Sequence, residues 1–174
     1  MAQSTPVAGI RIRPIEAADA AELERFYGGL SDDSRHFRFF AVTRGLSSTQ
    51  STSFCSTDHA HREGFVATLG DGPSDVTRIV GHLCLEPAGD HRAEIAIAVA
   101  DEFQRRAIGR RLMTAAISWA RSTGVDTLTA TMLTSNPGIH GLITSLGLPS
   151  GIRAFGIDMS MMEITVPVVP AIAA

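Results

Sequence analysis

The residues with the most chemistry to offer lie in one run, Glu94-Ile-Ala-Ile-Ala-Val99-Ala-Asp-Glu-Phe-Gln104-Arg-Arg-Ala-Ile-Gly109-Arg-Arg111. A carboxylate opens it, and four arginines, Arg105, Arg106, Arg110 and Arg111, crowd its end. Apolar alternation through the first half predicts a strand with Glu94, Ala96 and Ala98 on one face and Ile95, Ile97 and Val99 on the other. A carboxylate beside two small residues has room next to it for a substrate. Burial that raised its pKa would let it serve as a general base. The alternative is an exposed strand glutamate with no chemical role. The arginines stand where strand gives way to helix, and a helix N-terminus leaves N–H groups unpaired and carries partial positive charge. Forked guanidinium donors there suit phosphate oxygens; the plainer reading is a solvated helix face.

The elements that must position this run follow from periodicity and punctuation. Ile10 to Arg13 alternates and meets Pro14, a short strand; Asp19 can cap a helix from Ala20 to about Tyr27, ended by Gly28-Gly29. Ser31-Asp32-Asp33-Ser34 starts a second helix, whose Phe37, Phe39 and Phe40 are expected in the core. The Ser/Thr-rich stretch 43–61 has little period, and a short helix within it cannot be placed. Strands are predicted over Gly64 to Leu69 and Arg78 to Leu85, joined as a hairpin by Gly70-Asp71-Gly72-Pro73, and over Ala93 to Val99. A helix over Arg106 to Thr123 carries Ile108, Leu112, Ala116 and Ala120 at helical spacing and stops at Gly124. Thr127 to Leu133 reads as a strand, Asn136-Pro137 opens a helix ending near Gly147, and Phe155 to Val166 holds a last strand or pair. The order β-α-α-β-β-β-α-β-α-β is α/β. Residues 10–166 are expected to form one domain, with 1–9 a flexible N-terminus and 167–174 a tail.

Composition narrows the function classes. With 174 residues, 44% hydrophobic and 19% charged, the chain is an ordinary globular one. A formal charge of −3 with only one basic cluster argues against a nucleic-acid partner. No apolar run reaches the roughly 20 residues that span a bilayer, and no secretory signal opens the chain, so a cytoplasmic protein with no membrane partner is expected. Cys55 and Cys84 could form one bridge but lack metal-ligand spacing; Cys84 reads as an inert buried thiol. Asp58, His59, His61 and Glu63 cluster without a distant further ligand, so no metal is assigned. Met159, Met161 and Met162 read as core or interface filler.

Gln104-Arg-Arg-Ala107-Ile-Gly109 resembles the acetyl-CoA pyrophosphate loop of the GCN5-related N-acetyltransferases, Gln/Arg-x-x-Gly-x-Gly/Ala. Asn136-Pro-Gly-Ile-His-Gly-Leu-Ile-Thr-Ser-Leu146-Gly147-Leu148 resembles that family's "Asn … Leu-Gly-Phe" helix. Ile12-Arg13-Pro14, the Leu30 to Phe40 stretch, Asp58 to Ala67, and Ala93-Glu94-Ile with Val99-Ala-Asp101 resemble its bacterial protein-lysine-acetyltransferase branch. The likeness runs from about residue 10 to 165. It implies a mixed, mainly antiparallel central sheet with helices on both faces, the GNAT-type fold, and an acetyl-CoA-dependent N-acetyltransferase.

The resemblance also implies roles. Glu94 matches the branch's general base. The pantetheine arm would lie as an extra strand along backbone N–H groups around Ile97, Ala98 and Val99. The diphosphate would sit on Gln104, Arg105, Arg106, Ala107, Ile108, Gly109, Arg110 and Arg111. Asn136 would approach the cofactor or, equally, simply cap its helix. Ala107 stands where the family has its first glycine, which is costly if φ there is positive and harmless if the loop is already helical. Ile143 stands where many members carry the tyrosine that protonates the leaving thiolate. Tyr27 does not match it, His140 is a weak candidate, and no acid is assigned. The acceptor is a small amine or a protein lysine, and the oligomeric state, monomer or homodimer, is open. Such lysine acetyltransferases often carry a nucleotide-binding regulatory domain, for which these 174 residues leave no room. A non-catalytic acyl-CoA-binding or sensor module is the alternative.

Overall fold

Alternating apolar side chains draw Ile10–Pro14 (β1) out as an edge strand, antiparallel to β2 (Glu63–Leu69). Strand β2 pairs with β3 (Arg78–Pro87), and β3 with β4 (Arg92–Val99), both antiparallel. Strand β4 then meets β5 (Thr127–Leu133) in the sheet's parallel pairing. Strands β7 (Met159–Thr165) and β6 (Ser150–Phe155) complete a seven-stranded sheet of order β1-β2-β3-β4-β5-β7-β6. The computed structural model describes residues 9–70, 78–155 and 157–167. The expected N-terminus up to residue 8, the hairpin turn after Gly70 and the tail beyond Pro167 lie outside them.

Helices cover both faces, so β2 and β3 are buried almost throughout rather than alternating with solvent. On one face, α1 (Ala20–Gly28) turns Leu23, Phe26 and Tyr27 inward at helical spacing, onto Val66, Ile79 and Ala98. With it lie α2 (Asp32–Phe39) and α3 (Ser48–Cys55), the latter begun by a capping box between Ser47 and Gln50. The other face takes α4 (Ile108–Thr123), whose Ile108, Leu112, Met113, Ala116 and Ala120 meet Val80, Leu83 and Ile95. Beside α4 runs α5 (Pro137–Leu146). Gly81 on β3 lets α4 come close: a Cβ there would stand 3.1 Å from Leu112 Cδ1 and 3.3 Å from Ile108 Cγ2.

Four expectations need correcting. Asp19 does not cap α1. It closes the 3₁₀ turn before it, accepting Glu16 N–H at 2.8 Å and gripping Arg13 at 2.6 and 2.7 Å. Helix α4 starts at Ile108 rather than Arg106, because Ala107 is left-handed. The C-terminal strands are a pair, and the first begins at Ser150, earlier than Phe155. Helix α2 buries none of its residues: Phe37 and Phe39 are half-buried and Phe40 is exposed.

Candidate active site

Strands β4 and β5 are joined by only three residue pairs, Arg92 with Thr127, Ala93 with Leu128 and Glu94 with Thr129. Past Glu94 they part. A groove of about 280 Å³ passes through the opening, lined from one face of β4 by Glu94 and Ala96 and from the other by Ile95 and Ile97. Ala130, Thr131 and Met132 of β5 form its far wall. The alternation expected for β4 is therefore what opens the groove to both sides of the sheet.

The free edge of β4 is polar. Ala100 donates its N–H to Val80 O on the β3 side at 2.9 Å. By strand alternation Ala98 also turns to β3, where it stands opposite His82, and Ile97 and Val99 turn to the edge that β5 has left. Ala98 thus does not share the edge position of its neighbours. The Val99 carbonyl accepts from Gln104 Nε2 at 3.2 Å.

Register fixes what surrounds Glu94. Cross-strand partners share a face, so His82 with Ala98, Cys84 with Ala96 and Glu86 with Glu94 form three successive rows. Two carboxylates side by side would repel, but Arg62 grips Glu86 through Nε and Nη2, both at 2.7 Å. Among the described residues Glu94 has a single hydrogen bond, from Thr131 Oγ1 at 3.1 Å. The expected burial of Glu94 is not found: it is exposed at the groove. Phe37 and Arg38 of α2 and Phe40 just beyond it, the aromatic pair expected as core, instead line the groove on the Glu94 face.

The arginine loop is shaped by two left-handed residues, Arg105 (φ 58°) and Ala107 (φ 62°). Arg106 between them has no such φ, and alternation of this kind is one that gathers successive backbone N–H groups into a nest, here at the start of α4. The backbone that glycine usually supplies is thus adopted with an alanine, at a steric cost of about 1 kcal/mol. Ile108 is a buried anchor of the helix, and Gly109 lies beside Leu142. The side chains divide. Arg106 lies over Phe103, with 5.8 Å to the ring centroid, and Arg110 is exposed. Arg111 turns away from the loop and donates to Ile10 O on β1 at 2.9 Å. Gln104 Nε2 donates to Ser34 Oγ as well as to the Val99 carbonyl and so braces the loop. Asp101 braces it too, accepting from Ser31 N–H, Ser31 Oγ and Ser34 Oγ. Burial works against the Asp101 charge, yet these bonds hold its pKa below the usual carboxylate range.

Asn136 is the cap of α5. Its Oδ1 accepts from Gly138 and Ile139 N–H at 3.1 and 3.4 Å, capping α5, and the residue lines the groove. Ile143 is buried in the core and His140 is absent from the groove wall. Tyr27 is buried under α1, bonded to His82 Nδ1 at 2.9 Å. The Asp58 cluster builds a turn: Asp58 accepts the N–H groups of Ala60, His61 and Arg62, while His59 pairs with Glu63 at 2.9 Å. Among the described residues, no three His, Cys, Asp or Glu are grouped to hold a metal. A larger hollow of about 490 Å³ lies beyond α1, but its charges pair as Glu22–Arg25 and Arg78–Glu102, its Asp101 is held by Ser31 and Ser34, and Glu94 does not line it.

The sheet thus parts beside a carboxylate, and two left-handed residues lead into the next helix. The model of the Acetyltransferase (GNAT) family matches residues 30–148. The chain belongs to that family. The GNAT domain of PAT from S. lividans is similar to it at 27% identity and a TM-score of 0.79, over 90% of each chain. The fold is shared with yncA from Salmonella typhimurium, solved with its cofactor acetyl-CoA, at 18% identity and a TM-score of 0.70, covering 95% of this chain and 97% of that one. It is also shared with a phosphinothricin acetyltransferase from Sinorhizobium meliloti, solved with AcCoA, at 14% and 0.71, covering 91% and 89%. The mixed sheet between helices that the resemblance implied is this GNAT fold, and the chain is an acetyltransferase of the GNAT kind.

Proposed function

We propose that this GNAT enzyme acetylates an amine by direct attack on acetyl-CoA, with Glu94 as general base. The observation that carries the reading is the groove through the parted sheet, with Glu94 at the last paired residue. Acetyl-CoA supplies the activated acyl group, a thioester whose thiolate leaves readily. The nest at Arg105 to Ala107, with Arg106 and Arg110 at the loop, suits its diphosphate. The N–H groups of Ile97 and Val99 on the free edge of β4 suit the pantetheine arm and the carbonyl oxygen as it gains charge. Asn136 lies within reach of that arm.

Glu94 takes the proton of the incoming ammonium, which frees the lone pair for attack from the α2 side. Thr131 Oγ1 holds the receiving oxygen. Residues 10–166 act as one catalytic unit. The acceptor is a small amine or a protein lysine. Two free, buried cysteines fit a reducing, cytoplasmic setting. No helix among the described residues is long and apolar enough to cross a membrane.

The test is acetyl-CoA binding by calorimetry together with thiol release against a panel of amines. Glu94→Gln is expected to keep cofactor affinity and lose 10²- to 10⁴-fold in turnover, the usual worth of a general base. Unchanged turnover in that variant would remove Glu94 from the mechanism. Binding without turnover by the unaltered protein would make it an acyl-CoA-binding module.

A further inference from the structure

Arg38 enters the groove wall from α2 without a carboxylate to meet it. Its guanidinium lies over the rings of Tyr27, Phe39 and Phe54, with 5.9, 5.0 and 5.6 Å to their centroids. Nη2 donates to Cys84 Sγ at 3.3 Å, and Nε is shut off from solvent without a partner. Of the half-buried arginines, Arg13, Arg35, Arg62 and Arg92 each pair with an Asp or Glu, whereas Arg38 forms no ion pair among the described residues. Withdrawing a guanidinium from water without an anion is costly, and aromatic faces and a thiol offset only part of that cost. Burial opposes the charge of Arg38, and Tyr27, Cys84 and Glu94 act to keep it.

The rows of the sheet show how far this cation stands from the base. Arg38 bonds Cys84, Cys84 faces Ala96, and Ala96 lies two residues from Glu94 on the same face. Two residues of strand span roughly 7 Å. An ammonium on Glu94 and an anion on Arg38, each held by a bond of about 3 Å, would therefore lie within a few covalent bonds of one another.

Resting on the reading of Glu94 as base, we infer that the acceptor amine carries a carboxylate a few bonds away and that Arg38 is the residue that recognises it. Two sources present that chemistry: a free amino acid, which the groove of about 280 Å³ suits in size, and a protein lysine beside an acidic residue. In both, the carboxylate supplies the anion that the fold withholds from Arg38. Planar, two-pronged donation would make arginine better than lysine at this position.

The experiment measures binding, so that it is independent of turnover. Calorimetry on the CoA-saturated protein would compare leucine with leucinamide, and 4-aminobutyrate and 6-aminohexanoate with their amides. A third comparison sets blocked Glu-Lys against blocked Gln-Lys dipeptides. The carboxylate member of at least one pair is expected to bind about tenfold tighter or better, the worth of a charge-assisted bond. The amino-acid pairs or the dipeptide pair, whichever discriminates, names the source. In Arg38→Gln the ratio should fall to near one, and Arg38→Lys should keep part of it. Loss of stability alone weakens both members together and leaves the ratio untouched. If no pair discriminates in the unaltered protein, or if Arg38→Gln keeps the ratio, the inference is overturned. Failure of Glu94 as base would show separately, in thiol release.

Discussion

Glu86 and Glu94 face each other across β3 and β4, and it is Arg62 that makes this tolerable by holding Glu86 with two bonds. Removing that grip would leave a second bare carboxylate beside the proposed base. In Arg62→Gln a freed Glu86 would compete with Glu94 for the incoming ammonium, so amine-dependent thiol release should fall by roughly fivefold while acetyl-CoA affinity stays unchanged. Thiol release equal to that of the unaltered protein would mean that Glu86 does not act on the chemistry. Ala107 offers a second measurement at this scale. Its φ of 62° is one that glycine adopts freely, so Ala107→Gly should raise stability by up to about 1 kcal/mol in denaturant titration. Neither residue's situation was legible in the chain. Alanine gives no sign of a left-handed backbone, and the directions taken by Gln104 and Arg111 depend on Ser34 and Ile10, distant partners that no local spacing reveals. The exposure of Glu94 likewise depends on the parting of β4 from β5. Its face and its neighbours, by contrast, follow from alternation alone.

Helix α4 carries the nest to the end of β4, and Gly81 sets how closely it lies. In Gly81→Ala a methyl would press on Leu112 Cδ1, Ile108 Cγ2 and the Ala67 Cβ at 3.1 to 3.3 Å. Overpacking of this kind costs about 1–3 kcal/mol, and because it acts on the first turn of α4 it should also weaken acetyl-CoA binding in calorimetry. Unaltered affinity would mean that the nest does not depend on that seating. Elements were the most legible scale. The period of α4, the alternation of β4 and the Asn-Pro start of α5 all stand in the sequence, since each is a local pattern backed by a stop or a cap. Helix α3 was not placed because its Ser/Thr residues give no amphipathic period; its capping box, Ser47 with Gln50, was the available signal. Asp19 misled because a helix start and a 3₁₀ turn call for the same side chain.

At the scale of the whole molecule, the layer under α1 holds a histidine in an unusual state. His82 is fully buried, and burial first, then Arg38, pushes its pKa down from 6.5 to about 3, with Asp19 opposing. The folded protein therefore keeps it neutral, whereas the unfolded chain takes up a proton below pH 6.5. Its contribution to stability is complete above pH 6.5 and drains away as pH falls toward 3, up to about 5 kcal/mol in all. Denaturant titrations from pH 7.5 to 4 should show this loss, and His82→Gln, which cannot titrate, should flatten it. An equal slope in both proteins would place the acid sensitivity elsewhere.

The two halves of the sheet, β1 to β4 and β5 to β7, meet along three residue pairs, with Arg92 reaching Glu163 of β7 as an outer tie. Mechanically this is a pair of boards on a short hinge. A ligand strand laid in the gap would act as the missing rung, so the enzyme is stiffest when loaded and most compliant when empty. The amides of Ile97 and Val99 should then exchange with solvent quickly in the free protein and slowly once acetyl-CoA is bound. Substrate would serve here as a structural member, its departure loosening the frame through which the product must leave.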